Sequence, residues 1–418
     1  MNILLKYVCI VDAKSPFNNQ KLDILIENGV IQKIGKSLSA EENVQIVELP
    51  NLHVSIGWFD SSVSFGEPGF EERETIDNGL KTAAKSGFTG IALHPNTQPI
   101  ADNSGAIAYT KSKSFNYATQ LYPIGSLTIK SKGVDLAELY DMHKNNASSF
   151  GDYKKPITNS NLLKLALQYT QSFGGLVQSY PQNNDIAGKG MVNEEVSATQ
   201  LGLKGIPNLA EELQITRDLF ILEYTGGKLH IPTISTAKSV SLIKEAKAKG
   251  LNISCSVAVH NLILDDSFLI EFDSNYKVQP PLRTKKDIEA LLNGLKEGII
   301  DMVTSDHCPI DIENKQVEFD NAAYGTTGLE SAFGALIKKL PLDIVIEKLT
   351  AGRTHFSNEN ISITEGSEAN ITLFNPEIEY VFSKENIYST SKNSAFLGEQ
   401  LKGKAYGIYA NKKLVINS

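Results

Sequence analysis

The chain has 418 residues, 41% of them hydrophobic and 21% charged, enough for one barrel of about 250 residues and a smaller attached unit. Its net charge of −8 argues against a general nucleic-acid or anionic-membrane binder. The opening run MNILLKYVCIVDAK is too short to span a bilayer and no signal-peptide cleavage pattern follows it, so the cytoplasm is the expected compartment. Cys9, Cys255 and Cys308 are widely spaced and form no CxxC pair, which suits reduced thiols rather than a disulfide framework. Cys308 follows Asp306 and His307, yet no neighbouring pattern activates the thiol, and a small residue filling a tight loop is the simpler reading.

Residues 1–52 contain alternating runs such as KLDILIENGVIQKIG, with a turn signal at Asn28-Gly29. In the middle of the chain, short β-rich runs alternate with amphipathic helices. Asn208 with Glu211 has the form of a capping box opening a helix, along which Leu209, Leu213 and Phe220 recur at helical spacing. LHIPTIS (229–235) predicts a strand, and TAKSVSLIKEAKAK (236–249) a helix stopped by Gly250. LNISCSVAV (251–259) predicts the next strand, and TKKDIEALLNGLKE (284–297) a helix with Thr284 as N-cap and Gly298 as its stop. IIDMVTSD (299–306) predicts another strand. This strand–helix repetition favours a parallel barrel over an open doubly wound sheet. Residues 365–418 return to strand-like runs, EANITLFNP and AYGIYANKKLVIN, with Asn411 in a turn.

The segment GWFDSSVSFGEPG (57–69) carries the most information. It resembles the signature of the dihydroorotase branch of the amidohydrolase superfamily, in which Asp-x-His-x-His is followed by Phe-Arg-Glu-Pro-Gly. Asp60, Phe65, Glu67, Pro68 and Gly69 fill that frame, but Ser62 and Ser64 stand at the two imidazole positions and Gly66 at the substrate-binding arginine. The resemblance covers nearly the whole chain. It implies an α/β fold: a TIM-like (β/α)8 metallo-dependent hydrolase barrel over 53–364, with a small composite β-sandwich built from 1–52 and 365–418.

Four further segments resemble the family in order. IALHPNTQPIADN (91–103) matches its Met-Pro-Asn-Thr-x-Pro loop with His94 in place of Met, so Asn96 is implied as a substrate anchor. GGLVQSYPQNND (174–185) places Gln178 at a zinc-histidine position, and SFGDYKKP (149–156) corresponds to a site for a metal-ligating Asp or modified Lys, with Asp152 as the candidate within one position of register. LHIPTIST (229–236) puts Thr233 at the fourth zinc histidine and leaves His230 as a structural residue. Downstream, His260 in AVHNL and Asn275 in NYKVQPPLR are retained near the implied ligand site. VTSDHCPI (303–310) aligns Asp306 with the family's catalytic acid/base, while Ile310 replaces a substrate-binding histidine.

None of the seven histidines occupies a zinc position; those read Ser62, Ser64, Gln178 and Thr233. Neutral hydroxyls and an amide are poor zinc donors. Without the ion nothing lowers the pKa of water or polarises the scissile carbonyl. The expectation is therefore a catalytically inactive homologue, without metal or other cofactor, in which Asp306 is a vestigial acid/base and Asn96, Asn275 and His260 line an old ligand pocket. The resemblance implies a scaffold or regulator of pyrimidine biosynthesis, with aspartate transcarbamoylase or an active dihydroorotase as partner, and a homo-oligomeric state. Two alternatives stay open. One is an active dihydroorotase or other cyclic amidohydrolase, hydantoinase- or allantoinase-like, with an altered or absent metal site and zinc if a metal is kept. The other is a small-molecule sensor using Asn96 and Asn275.

Overall fold

A computed structural model describes residues 2–39, 43–357 and 359–417. The first strands, β1 (Asn2–Ile10), β2 (Lys21–Glu27), β3 (Val30–Gly35), β4 (Val44–Val47) and β5 (His53–Ile56), belong to a sheet of eight. The turn between β2 and β3 falls on Asn28 and Gly29, both at positive φ (52° and 88°), which an Asn-Gly pair accepts at little cost. Eight parallel strands then form the barrel: β6 (Trp58–Val63), β7 (Phe88–Leu93), β8 (Gln120–Gly125), β9 (Ser149–Phe150), β10 (Leu176–Gln178) and, after a small outlying pair β11 (Val192–Asn193) and β12 (Gly205–Ile206), β13 (Lys228–Ile231), β14 (Ile253–Ala258) and β15 (Met302–Thr304). The chain ends in β16 (Ile371–Val381), β17 (Gln400–Ala410) and β18 (Lys413–Ile416). These complete the first sheet in the order β18-β17-β16-β5-β1-β2-β3, with β4 on β1. Asn411 turns the last hairpin at φ 50°.

The two sheets differ as their surroundings require. Barrel strands β6, β7 and β14 are buried at every position, as expected where side chains meet a packed interior on one side and helices on the other. β17 alternates buried and half-buried residues over much of its length, the pattern of a sheet with one packed face. The sheets join at Trp58, which is fully buried and packs its ring against Phe88, Phe333 and Phe374, the last on β16. Gly57 makes the crossing possible: a β-carbon there would lie 2.0 Å from Thr89 Oγ1 and 2.1 Å from Asn370 Oδ1.

Predicted elements are present but shorter at the barrel mouth. The run 229–235 is a strand only to Ile231, because Pro232 supplies no N–H and Thr233 turns at φ 49°. The run 299–306 is a strand only over Met302–Thr304, and Asp306 turns at φ 50°. Three helices matter below: α1 (Ser160–Thr170), α2 (Asn208–Thr225) and α3 (Ala237–Ala248). The expected capping box of α2 does not form. Pro207 is the cap, Asn208 reaches Asp287, and the buried Glu211 carboxylate accepts instead from Ser235 N, Thr236 N and Ser239 Oγ at the start of α3. With the Ser235 hydroxyl, four donors at another helix's N-terminus outcompete one local backbone N–H. Thr284 does cap its helix, accepting from Asp287 N at 3.3 Å.

The barrel closes at one seam, between β6 and the end of β15. Ser64 N donates to His307 O at 2.8 Å, and the Asp60 carboxylate accepts from Ser305 N at 2.9 Å, from Ser62 N at 3.0 Å and from the Thr304 hydroxyl. Burial lifts the Asp60 carboxyl from the ordinary 3.8 to about 6 against the pull of these hydrogen bonds. Asp60→Ala should therefore destabilise the fold by about 3 kcal/mol, by stranding buried donors, read as a shift in denaturant midpoint. The folded chain holds the Asp60 proton up to a higher pH than the unfolded chain does. The Asp60 contribution to stability should thus fall as pH rises from 3.8 towards 6, a slope present in wild type and missing from Asp60→Asn.

Candidate functional site

The C-terminal ends of the barrel strands converge on one mouth, where an α/β barrel places its functional groups. From β6, Ser62 points inward and is nearly sealed from solvent. Its hydroxyl donates to Asp306 Oδ1 at 3.0 Å and lies 2.9 Å from His94 Nε2. The single serine proton is committed to the carboxylate, so Nε2–H of His94 is the donor in the second contact. Burial pushes the His94 imidazole down to about 3, keeping it neutral. Ser64 accepts from Asn96 Nδ2 at 2.8 Å. Asn96 thus turns its amide nitrogen to the strand and leaves Oδ1 buried without a protein partner.

The opposite wall of the mouth carries the other two zinc-histidine positions. Gln178, at the end of β10, donates to Ser149 Oγ at 2.8 Å. Thr233 sits in a left-handed backbone conformation that a β-branched residue rarely adopts, and its hydroxyl is buried and unpartnered. His230 is held by Ser254 at 2.9 Å and Ser256 at 3.3 Å, the structural role expected of it. His307 Nδ1 accepts from Gly328 N at 3.1 Å, which anchors the segment around Gly325 and Gly328 to the seam. His260 is 1% exposed, with both ring nitrogens unpartnered. Asn275 belongs to a 3-10 turn capped by Asp273, and it lines a separate 520 Å³ cavity with Ile310 and Lys315, to which Asn96 and His260 contribute nothing.

The centre of the mouth holds a residue that sequence reasoning missed. Asp152, the candidate for the metal-ligating position, faces away: it accepts from Ser126 Oγ at 2.8 Å and from Thr128 N at 3.0 Å, and so pins the loop after β8. Tyr153 then turns at φ 57°, and Lys154 reaches inward instead. Its ammonium lies 2.7 Å from Asp306 Oδ2, with the two side chains 13% and 2% exposed. Burial still raises the Asp306 carboxyl above its ordinary range, and Lys154 is the strongest influence opposing that rise. Two adjacent lysines after Asp152 were the only signal in the sequence.

Zinc is the group the dihydroorotase resemblance implies, and these residues do not fit it. Ser62 and Ser64 present neutral hydroxyls already engaged in hydrogen bonds, Gln178 commits its amide nitrogen to Ser149, Thr233 offers only a hydroxyl, and Asp306 already carries an ammonium. The substrate side is altered in the same way. A side chain at Gly66 would meet the Phe70 carbonyl oxygen at 1.7 Å, so this loop conformation has no room for arginine. Ile310 is buried, with its N–H on Asn393 Oδ1 at 3.0 Å.

Fold and mouth together define an amidohydrolase-type barrel with its attached β-sheet. An L-hydantoinase from Arthrobacter aurescens superimposes with a TM-score of 0.84 at 20% identity, over 100% of this chain and 97% of that one. The family model described as Dihydro-orotase-like matches residues 53–239. A dihydroorotase from Pelotomaculum thermopropionicum is 36% identical over 423 aligned residues, covering 100% of this chain and 99% of the relative. One from Geobacter metallireducens is 34% identical, covering 99% of each. The chain belongs to the dihydroorotase-like family. No helix among the described residues is long and apolar enough to cross a membrane.

Replacing Lys154 tests the centre of the site. Lys154→Met leaves Asp306 buried and uncompensated, which should cost about 3–5 kcal/mol at neutral pH. The loss should shrink as pH falls and Asp306 takes up a proton, since its folded pKa then stands further above the unfolded value. Lys154→Met combined with Asp306→Asn should recover most of the stability, read as non-additivity in a double-mutant cycle.

Proposed function

We propose that this chain is a catalytically inactive dihydroorotase-like protein of pyrimidine biosynthesis, acting as scaffold or regulator beside aspartate transcarbamoylase or an active dihydroorotase. The observation that carries this reading is the Lys154–Asp306 ion pair. It places a fixed positive charge against the one carboxylate that aligns with the family's acid/base. An ammonium neutralises that carboxylate, but it cannot deliver hydroxide at neutral pH as a bound zinc would. Serine, glutamine and threonine at the imidazole positions, together with glycine and isoleucine at two substrate-binding positions, support the same reading. The full-length likeness to dihydroorotases supports the pathway.

Protein purified without chelators should contain zinc well below one equivalent. It should neither open dihydroorotate nor close carbamoyl aspartate, and it should co-elute with aspartate transcarbamoylase or an active dihydroorotase from its own cell. Stoichiometric zinc accompanied by turnover overturns the reading, as does the absence of any such association.

One arrangement favours a second reading, a metal-free cyclic amide hydrolase. Ser62 Oγ donates directly to Asp306 Oδ1, so a serine nucleophile and a carboxylate proton acceptor lie in contact. The Lys154 ammonium already on that carboxylate and the near-complete burial of the pair weigh against it. On this reading Ser62→Ala and Asp306→Asn each abolish turnover of dihydroorotate or a hydantoin. Wild-type protein inert toward both substrates removes it.

A further inference from the structure

Two lysines are buried without a counter-charge. Lys277 is 3% exposed and Lys315 1%, and among the described residues neither has a carboxylate within ion-pair distance. Lys348, as deeply buried as Lys277, does pair, with Glu347 at 2.9 Å. The Lys277 ammonium is held by main-chain carbonyls, Phe319 O at 2.6 Å and Asp320 O at 3.0 Å. The Lys315 nitrogen donates to Lys277 O at 3.1 Å and to Ala323 O at 3.0 Å. These two bonds use both hydrogens of a neutral amine and leave its lone pair free. No acceptor among the described residues meets the third hydrogen that an ammonium carries. A buried charge without a partner is costly, and a lysine so placed gives up its proton instead. Burial accordingly pushes Lys315 down to about 7, helped by the charges of Lys277 and Lys154 and opposed by Cys308 and Asp273.

We propose that Lys315 is a carbonyl-reactive amine, and that the cavity it lines admits a small polar aldehyde or ketone, which Lys315 captures as an imine. Desolvation and neighbouring cations are what make a lysine nucleophilic at neutral pH, and Lys315 has both. The cavity of about 520 Å³ falls in the size range of small-molecule sites. Besides Lys315 its lining includes Asn275, Gln316, Ser391 and Asn393, which suits a polar carbonyl compound better than an apolar one. The step balances without an oxidant or reductant. The Lys315 nitrogen attacks the carbonyl carbon, one amine hydrogen moves to the oxygen to give a carbinolamine, and the second leaves with that oxygen as water. A C=N bond remains. Neither Ser62 nor Asp306 takes part, so the inference stands apart from hydrolysis at the mouth and does not depend on the outcome of turnover assays.

Reductive trapping tests the proposal. Wild-type protein is treated with glyoxylate and cyanoborohydride over a series of pH values, and each lysine is followed by peptide mass mapping. Lys315 should gain a carboxymethyl group at neutral pH at least about tenfold faster than the exposed Lys155 and Lys189. Its rate should level off above about pH 7, whereas that of a freely exposed lysine keeps rising towards about 10.4. Gln316→Trp, at an exposed lining position, fills part of the cavity. It should slow the labelling of Lys315 and leave Lys155 and Lys189 unchanged. The wild-type pH profile needs no variant, so a poorly folded Gln316→Trp protein does not remove the test. An unmodified Lys315 beside labelled surface lysines, a plateau no lower than theirs, or a rate that Gln316→Trp leaves unaltered would each overturn it.

Discussion

Asp60 holds the first and last strands of the barrel together from a position where a carboxylate is costly to bury. Neighbouring strands of a parallel barrel are stitched by backbone hydrogen bonds, but at this seam the ladder is thin. Among the described residues, backbone pairing there is a single bridge between Val63 and His307. The Asp60 carboxylate fills the gap by accepting from Ser62 N, Ser305 N and the Thr304 hydroxyl. Four residues at the mouth are positioned from this junction. Ser62 and Ser64 follow Asp60 on one side of it, and Asp306 and His307 follow Thr304 on the other.

The mouth is electrostatically self-contained. One carboxylate meets one ammonium, and the surrounding imidazoles are held neutral by burial. In the low-polarity interior such a pair is strong only while both members are present, so it fixes Lys154 and Asp306 to one another. The backbone keeps features of a site even so. Tyr153, Thr233 and Asp306 all turn at positive φ where the chain leaves a barrel strand. Such conformations cost energy and persist only where their surroundings enforce them. Buried polar atoms of Asn96, Thr233 and His260 likewise have no hydrogen-bond partner in the protein, a cost of the same kind.

The sequence reading succeeded where chemistry is local and failed where it depends on distance. Ser62, Ser64, Gln178 and Thr233 could be placed because short motifs carry their own register along a strand. The fate of Asp152 could not, because one left-handed residue at Tyr153 decides whether the aspartate or the following lysine enters the barrel. The Asn208–Glu211 box was misread for a related reason. Glu211 had a local partner in view, but the start of α3, 24 residues away, supplied more donors. The α2 stripe shows a third kind of limit. Helical periodicity marks a helix without saying which face turns inward: Leu209, Leu213 and Phe220 are exposed, while Ala210, Ile215, Leu219 and Leu222 are buried together with Glu211, Gln214 and Asp218.

What the sequence determined by itself was the alternation of strands and helices, the two β-rich ends, and the residue types Ser62, Ser64, Gln178 and Thr233 at four barrel-strand ends. Each of these is a property of residue type and spacing, so no contact map is needed to see it. The tertiary structure decided what those four residues face. Lys154 and Asp306 are separated by 152 positions, and no pattern along a chain records a pairing that exists only once eight strands have curled into a closed ring. The same is true of the seam: Asp60 becomes a clasp only when the end of β15 returns to it, because a buried carboxylate acquires its role from the donors that folding brings within reach.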